Sequence, residues 1–250
     1  MSVISLEAVR KTFRDFWLRP TVEAVAGLDL QVERGEVFGL LGPNGSGKST
    51  TIKMMLGLLE PSAGEVRLFG LKPRSVEARR KLGYLPELSH LHPFLTPAET
   101  LKYYAGLCGL KRGEAEKRTK ELLKMVKLEE VANRAVGGFS KGMARRVALA
   151  SALIGKPELL IMDEPTSGLD PVSTKETKLL IKALAKNGMT ILMTSHLLSD
   201  AQDVCDRVAI LNKGKKVAEG KIDELGESLE DFFLAKVGEL DEFVLADFLA

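Results

Sequence analysis

The residues best suited to chemistry form one glycine-rich stretch, Gly42-Pro43-Asn44-Gly45-Ser46-Gly47-Lys48-Ser49-Thr50. It fits the pattern G-x-x-x-x-G-K-[S/T] of loops that cradle phosphate groups. Glycines let successive backbone N–H groups surround an anion along a path that a Cβ would obstruct. Lys48 adds a point charge for the outer phosphates, and the Ser49 hydroxyl is suited to ligating Mg²⁺. The stretch therefore predicts a site for a nucleoside triphosphate.

The flanks of this loop predict how it is held. Residues 37–41 are an apolar run typical of a buried parallel strand. After the loop, apolar residues recur at helical spacing at Ile52, Met55, Leu56 and Leu59. The loop would thus join a strand to a helix N-terminus, where the dipole and unpaired N–H groups favour an anion. A chance match, expected in about one chain of this length in a hundred, is the alternative.

A pair of carboxylates follows a second apolar run. Asp163 and Glu164 come directly after Leu159–Met162, and ligands bind open α/β sheets at the carboxyl ends of strands. Asp163 is suited to holding Mg²⁺, directly or through water, because this hard cation takes oxygen ligands. Glu164 can orient and deprotonate an attacking water. The alternative is an acidic pair that merely ends a strand in solvent.

Strand and helix patterns alternate along most of the chain. This alternation predicts a mainly parallel sheet covered by helices on both faces. Residues 3–9 alternate apolar and polar side chains and predict an edge strand. Residues 11–23 are irregular, which favours a loop carrying three aromatic residues, Phe13, Phe16 and Trp17.

Between Pro97 and Ile154 the apolar period becomes helical. This block predicts a lobe of helices inserted between strands. Its first helix is expected to bury one face, formed by Leu101, Tyr104, Leu107 and Cys108.

Composition excludes several classes of protein. The chain has 250 residues, 45% hydrophobic and 28% charged, as in ordinary globular proteins. A net charge of +2 is not the strongly basic charge that is typical of nucleic-acid-binding proteins. The pattern predicts neither a signal peptide nor a membrane span. Cys108 and Cys205 are isolated, so a disulfide framework or zinc site is not expected, and a cytoplasmic location is predicted.

An ordered set of motifs resembles the ATP-binding cassette (ABC) transporter ATPases. Asp163-Glu164-Pro165-Thr166-Ser167-Gly168-Leu169-Asp170 is similar to the family's Walker B and D-loop. Tyr84-Leu85-Pro86-Glu87 stands where the family has its Q-loop, and Phe139-Ser140-Lys141-Gly142-Met143 where it has its signature. His196 resembles the switch histidine. The resemblance covers nearly the whole chain, in order.

The resemblance implies a single ABC ATPase domain over residues 1–250. Its fold would be an α/β P-loop NTPase with a RecA-like, mainly parallel sheet core, an antiparallel β edge and an inserted helical subdomain. The core would comprise residues 1–88 and 157–222, and the helical subdomain residues 89–156. The remaining tail, residues 223–250, is amphipathic and is expected to dock on the core, with a contact between subunits as the alternative.

The family also implies a mechanism of two subunits. A homodimer, or a pair of related ATPases, meets head to tail around two Mg-ATP. The signature of one chain, here Ser140, Lys141, Gly142 and Met143, caps the γ-phosphate held by the other. Ser140 suits this role because it is a good N-cap for a helix whose free N–H groups would bind an anion. Asp170 is expected to reach across the dimer.

Further roles follow from the resemblance alone. His196 would sense the γ-phosphate, although a lone histidine is more often structural. Phe13 fits the spacing of the aromatic that stacks on adenine, with Phe16 or Trp17 as alternatives and core packing as the simpler role. Glu87 replaces the usual glutamine, which contacts Mg²⁺ and water; a carboxylate still ligates a hard cation but adds negative charge.

Glu87 and Lys141 both depart from the common motifs, and both resemble a branch of two-component exporters. The resemblance thus implies an integral membrane permease as partner and attachment to the inner face of the cell membrane. A soluble ABC-type ATPase, uncoupled from transport, is the alternative. A small-molecule kinase would leave Glu164, the signature and His196 without roles.

Overall fold

The computed structural model of the chain describes residues 2–14, 19–224 and 229. Strands and helices alternate through these residues after an initial hairpin. The strands are β1 (Ser2–Arg14), β2 (Pro20–Glu33), β3 (Val37–Leu41), β4 (Ala63–Leu68), β5 (Leu82–Leu85), β6 (Leu159–Met162), β7 (Thr190–Ser195), β8 (Arg207–Asn212) and β9 (Lys215–Lys221). The α-helices are α1 (Lys48–Met55), α2 (Val76–Arg80), α3 (Pro97–Leu107), α4 (Arg112–Met125), α5 (Lys141–Leu153), α6 (Pro171–Lys186) and α7 (Leu198–Val204).

Two sheets organise these elements. The larger has the order β5-β6-β7-β3-β8-β9 and is parallel from β5 to β8, with β9 antiparallel at its edge. The smaller is antiparallel, with the order β2-β1-β4. The carboxyl ends of β3, β6 and β7 therefore lie side by side, as a shared ligand site requires. The predicted α/β fold with a mainly parallel sheet and an antiparallel β edge is confirmed.

The central strands β6, β7 and β3 of the large sheet are buried on both faces, as continuous apolar strands predict. Phe38 and Leu40 of β3 enter a core shared with α1 and the antiparallel sheet. Their neighbours Val37 and Leu41 enter a second core, shared with α5, α6 and α7. Burial on both sides fixes β3, so that the loop after it starts from a rigid point.

The predicted block of helices is present as α3, α4 and α5, which pack against one another. A capping box starts α3: the Thr96 N–H donates to Glu99 Oε2 at 2.9 Å, and the Glu99 N–H donates to Thr96 Oγ1 at 3.2 Å. The buried side chains of these helices join the core on the α5 face of the large sheet. The subdomain limits at residues 89 and 156 stay a prediction.

Two predictions for the start of the chain are wrong. β1 is the middle strand of its sheet and not an edge strand, because β4 pairs with its other side. Most of the predicted loop over residues 11–23 belongs to the arms of the β1–β2 hairpin. Several register shifts interrupt this pairing, and Ala8 has φ 47. Bulges of this kind break the two-residue alternation by which a strand is recognised.

The predicted buried face of α3 is also wrong in part. Leu101 is fully buried, whereas Leu107 is 66% exposed and Cys108 is exposed. Six residues turn a helix by about 600°, so Leu107 lies about 120° away from Leu101. Ala105 takes the place on the buried face instead.

The predicted docking of the tail lies almost wholly outside the described residues. Leu229 is the exception: it is buried, and its N–H donates to Gln202 Oε1 at 3.3 Å. Among the residues that the structure describes, no helix combines the length and apolar character needed to cross a bilayer.

Candidate active site

The glycine-rich loop runs from the end of β3 into α1, as predicted. Every residue of β3 is buried, and the chain turns at Gly42 before α1 begins at Lys48. Gly47 has φ 107, and a Cβ there would lie 2.5 Å from the Ala24 carbonyl oxygen, so only glycine fits. No side chain caps the start of α1. Its first N–H groups are therefore free to bind an anion.

Lys48 is held inside this loop. Its side chain is 7% exposed, and Nζ donates to the Gly42 carbonyl at 2.5 Å and to the Pro43 carbonyl at 3.2 Å. Burial lowers the pKa of Lys48, while the charges of Glu164 and Asp163 oppose the shift. Nζ lies 3.7 Å from Glu164 Oε1. The cation is thus placed between the loop and the acidic end of β6.

A cavity of about 570 Å³ opens over the loop. It brings together residues that are far apart in sequence. Its walls are formed by Val22, Glu23, Ala24, Pro43, Asn44, Gly45, Ser46, Gly47, Lys48, Ser49, Thr50, Glu87, Glu164, Ser167, His196 and Lys213. The predicted phosphate loop, Glu87, Glu164 and His196 therefore share one cavity. Backbone N–H groups at the start of α1, together with the cations Lys48 and Lys213, suit a polyphosphate.

The acidic pair after β6 is tied to the neighbouring strand β7. Thr194 Oγ1 donates to Asp163 Oδ1 at 2.7 Å and accepts from the Glu164 N–H at 2.9 Å. Asp163 is 7% exposed and is not part of the cavity wall. Glu164 faces the cavity, and its Oε2 lies 2.8 Å from His196 Nδ1. One hydroxyl therefore fixes both carboxylate residues.

Glu164 has φ 47, in the left-handed region that non-glycine residues rarely adopt. Strained backbone of this kind persists only where surrounding contacts hold it, and it is concentrated at functional sites. Here the strain turns a residue at a strand end so that its carboxylate reaches both Lys48 and His196.

Residues of the predicted signature lie elsewhere on the surface. Ser140 is exposed and caps α5 by accepting from the Met143 N–H at 3.2 Å. Lys141 is exposed, and Gly142 is buried against Ser173. Asp170 caps the neighbouring helix α6 through the N–H groups of its first turn. The structure therefore groups Ser140 to Met143 with Asp170, apart from the cavity of their own chain.

Phe13, the aromatic residue expected beside adenine, lies in β1. Phe13 pairs across the sheet with Val22, which lines the cavity, but Phe13 is not itself part of the wall. Its ring is 41% exposed, with Lys11 Nζ 5.5 Å from the ring centroid. Phe16 and Trp17 lie outside the described residues. The assignment of Phe13 stays a prediction.

Sequence reasoning missed several residues of the site. Lys213 lines the cavity because its hairpin turn touches the loop: the Gly214 N–H donates to the Ser46 carbonyl at 3.0 Å. This contact joins segments that are distant in sequence, so no local motif predicts it. Thr194 gave a usable signal, since it is a polar residue directly after the apolar run of residues 191–193. Arg145 gave no such signal, because a second arginine, Arg146, follows it directly.

The donor groups fit Mg²⁺ held jointly with a nucleotide. Ser49 and Glu87 line the cavity, and the buried Asp163 directly precedes the lining residue Glu164. In the described ranges no cluster of three or more histidine, cysteine, aspartate or glutamate side chains could hold a metal alone. Mg²⁺ is usually bound by one or two carboxylates together with substrate phosphates, so this sparse set suits it.

Sequence comparison relates the chain to known proteins. Residues 25–167 match the family model described as ABC transporter. The chain is 41% identical over 229 residues to the Nod factor export ATP-binding protein I of Cupriavidus pinatubonensis, covering 91% of this chain and 69% of that protein. It is 42% identical over 198 residues to the linearmycin resistance ATP-binding protein of Bacillus subtilis, covering 78% and 64%.

The fold also matches a solved structure of a relative with bound nucleotide. It is a dimeric ATP-binding cassette in a post-hydrolysis state, bound to ADP and Pi. Its TM-score to this chain is 0.78 at 29% identity, over 88% of this chain and 98% of the other. The chain therefore belongs to the ABC transporter family, as one of the ATP-binding and ATP-hydrolysing proteins of that family.

Proposed function

We propose that the chain is the ATPase subunit of a two-component exporter and works as a head-to-tail dimer around two Mg-ATP. One observation carries this proposal. The cavity holds Lys48, Glu164 and His196, while the exposed N-cap Ser140 lies outside it on the same chain. A helix start suited to an anion, but remote from its own phosphate loop, is what a site shared between two chains requires.

Nucleotide binding is assigned to the loop from Gly42 to Thr50. Backbone N–H groups surround the phosphates, and Lys48 leaves its loop carbonyls to pair with the outer phosphates. Ser49, Asp163 and Glu87 are the residues that would hold Mg²⁺. When bound, the ion neutralises charge that develops on the phosphate oxygens.

Hydrolysis is assigned to Glu164. Its carboxylate accepts a proton from a water whose oxygen attacks the γ-phosphorus, and the bond to the β,γ-bridging oxygen breaks. His196 would contact the γ-phosphate and orient Glu164, since its Nδ1 lies 2.8 Å from Glu164 Oε2. Lys48, also beside Glu164, stabilises the charge of the transition state.

The second chain completes each site. Ser140, Lys141, Gly142 and Met143 of one chain face the γ-phosphate of the other, and Asp170 reaches the facing loop. The dimeric cassette with ADP and Pi supports this arrangement, since it is a relative in which two cassettes associate.

Transport is assigned to a separate permease at the inner face of the membrane. Support comes from the names of two relatives, one for Nod factor export and one for linearmycin resistance. These two names differ in substrate, so the substrate is expected to be chosen by the permease. Exposed apolar side chains after the Glu87 loop, Leu88 and Phe94, offer the permease a contact surface. With a net charge of +2, no nucleic-acid partner is expected.

Trapping the dimer tests this proposal. Glu164→Gln keeps the nucleotide contacts but removes the base, so ATP is expected to shift this variant from monomer to dimer in light scattering. Adding Ser140→Arg should block the shift while leaving ATP bound. Ser75→Arg is the matched control, because Ser75 also caps a helix, α2, away from the cavity. A Glu164→Gln, Ser140→Arg protein that still dimerises with ATP would contradict the shared site.

Co-purification tests the coupling to transport. The chain, expressed with an affinity tag in its own host, is expected to bring down an integral membrane protein identified by mass. Recovery from the soluble fraction alone, without a membrane partner, would favour an ABC ATPase that is not coupled to transport.

A further inference from the structure

Arg145 lies in α5, little more than one turn after Ser140, and its side chain is buried at 5% exposure. Burial lowers the pKa of Arg145 to about 10, so the guanidinium remains protonated at neutral pH. Among the residues that the structure describes, no carboxylate forms an ion pair with it within 4.0 Å. A buried cation without such a pair needs every N–H satisfied in another way.

Main-chain carbonyls meet that need. Nε donates to the Pro165 carbonyl at 3.1 Å, and Nη2 donates to the carbonyls of Asp163 at 2.9 Å and Glu164 at 3.0 Å. Nη1 donates to the Glu87 carbonyl at 2.8 Å and also to the Pro86 carbonyl. One side chain thus holds three consecutive carbonyls after β6 and two consecutive carbonyls after β5.

These carbonyls surround the strained residue of the site. Glu164 has φ 47, and such a conformation is kept only while its neighbours over-determine it. The Glu164 N–H donates to the Thr194 hydroxyl, and the Glu164 carbonyl accepts from Arg145 Nη2. Both peptide groups of Glu164 are therefore held. Without Arg145 the segment from Asp163 to Pro165 could relax toward an unstrained backbone, which would carry the carboxylate away from Lys48 and His196.

We infer that Arg145 is a positioning residue that sets the place of Glu164, with the carbonyls of Pro86 and Glu87 anchoring its guanidinium. It acts through the backbone and touches no nucleotide, since it is absent from the cavity wall. The inference rests on the proposed role of Glu164 as base. Hydrolysis should therefore depend on Arg145, whereas nucleotide binding should not.

Two substitutions test the inference. Arg145→Lys keeps the charge, but a single ammonium group cannot reach the carbonyls after both β5 and β6. Arg145→Gln removes the charge as well. Both are expected to lower kcat by about 10- to 100-fold, the usual result of losing the support of a catalytic group. Their Kd for ATP, measured with a fluorescent analogue, should equal that of the wild type. An unchanged kcat in Arg145→Lys and Arg145→Gln would overturn the inference.

Arg118→Gln is the matched control. Arg118 of α4 also donates to a main-chain carbonyl of α5, that of Leu153 at 3.2 Å, but at the end of the helix away from the cavity. Its loss should lower the melting temperature while leaving kcat unchanged. An equal loss of kcat in Arg118→Gln would mean that any weakening of α5 has this effect, and would overturn a specific role for Arg145.

A double substitution separates positioning from general damage. If Arg145 acts through Glu164, the variant Glu164→Gln, Arg145→Gln should hydrolyse no more slowly than Glu164→Gln alone. Multiplied losses would overturn the inference. Glu164→Gln also tests the proposed function separately: if it retains wild-type turnover, the role of the base fails, whereas full activity in the Arg145 variants alone defeats only the inference.

Discussion

Thr194 offers the sharpest test of how the carboxylates are held. Its side chain is fully buried and serves Asp163 and Glu164 through one hydroxyl. Thr194→Val keeps the shape and removes both hydrogen bonds. The bond to the Asp163 carboxylate should contribute about 1.5–3 kcal/mol, and the buried Glu164 N–H left unpaired should cost about 1–3 kcal/mol. The expected loss in the free energy of unfolding is therefore about 2.5–6 kcal/mol.

Urea unfolding of the nucleotide-free chain measures this loss. Thr194→Ser is the control, because it keeps the hydroxyl and removes one methyl group, at a cost of about 1 kcal/mol. Valine should thus be clearly worse than serine, although valine is the closer match in volume. If Thr194→Val were as stable as Thr194→Ser, the hydroxyl would not hold the two acidic residues as described.

Two further substitutions address the roles of single residues. Lys48→Ala removes the buried cation of the loop and should weaken ATP binding roughly 10- to 100-fold, the equivalent of about 1.5–3 kcal/mol; calorimetric titration showing an unchanged Kd would refute its phosphate role. Glu87→Gln restores the glutamine usual in the family at an exposed cavity residue, so phosphate release should stay within the same order of magnitude, and complete loss would show that the carboxylate has a dedicated function.

Local motifs predicted the parts of the site that are local. The loop from Gly42 to Thr50 could be recognised because its glycines, lysine and flanking elements are adjacent in sequence. The same holds for Asp163 and Glu164 at the end of an apolar strand. Parallel strand order brings the carboxyl ends of β3, β6 and β7 together, and this order puts the loop, Glu164 and His196 on one cavity.

Contacts between distant segments could not be predicted in this way. The bond from Gly214 to Ser46 puts Lys213 on the cavity wall, and nothing near either residue indicates it. The five carbonyls around Arg145 come from two segments that meet only in the folded chain. The central place of β1 likewise depends on β4, which arrives much later in the sequence.

A mixing experiment tests the central claim, that each active site is built from two chains. Ser140→Arg blocks the signature that one chain offers to its partner, and Glu164→Gln removes the base beside the phosphate loop. Each variant alone should therefore be nearly inactive. In a mixed dimer, one site combines the intact Glu164 and the intact Ser140. Equal amounts should recover up to about a quarter of wild-type ATP hydrolysis, the limit for random pairing, in which half of the dimers are mixed and each mixed dimer has one complete site. Mixed dimers that form but show no recovery would contradict the claim.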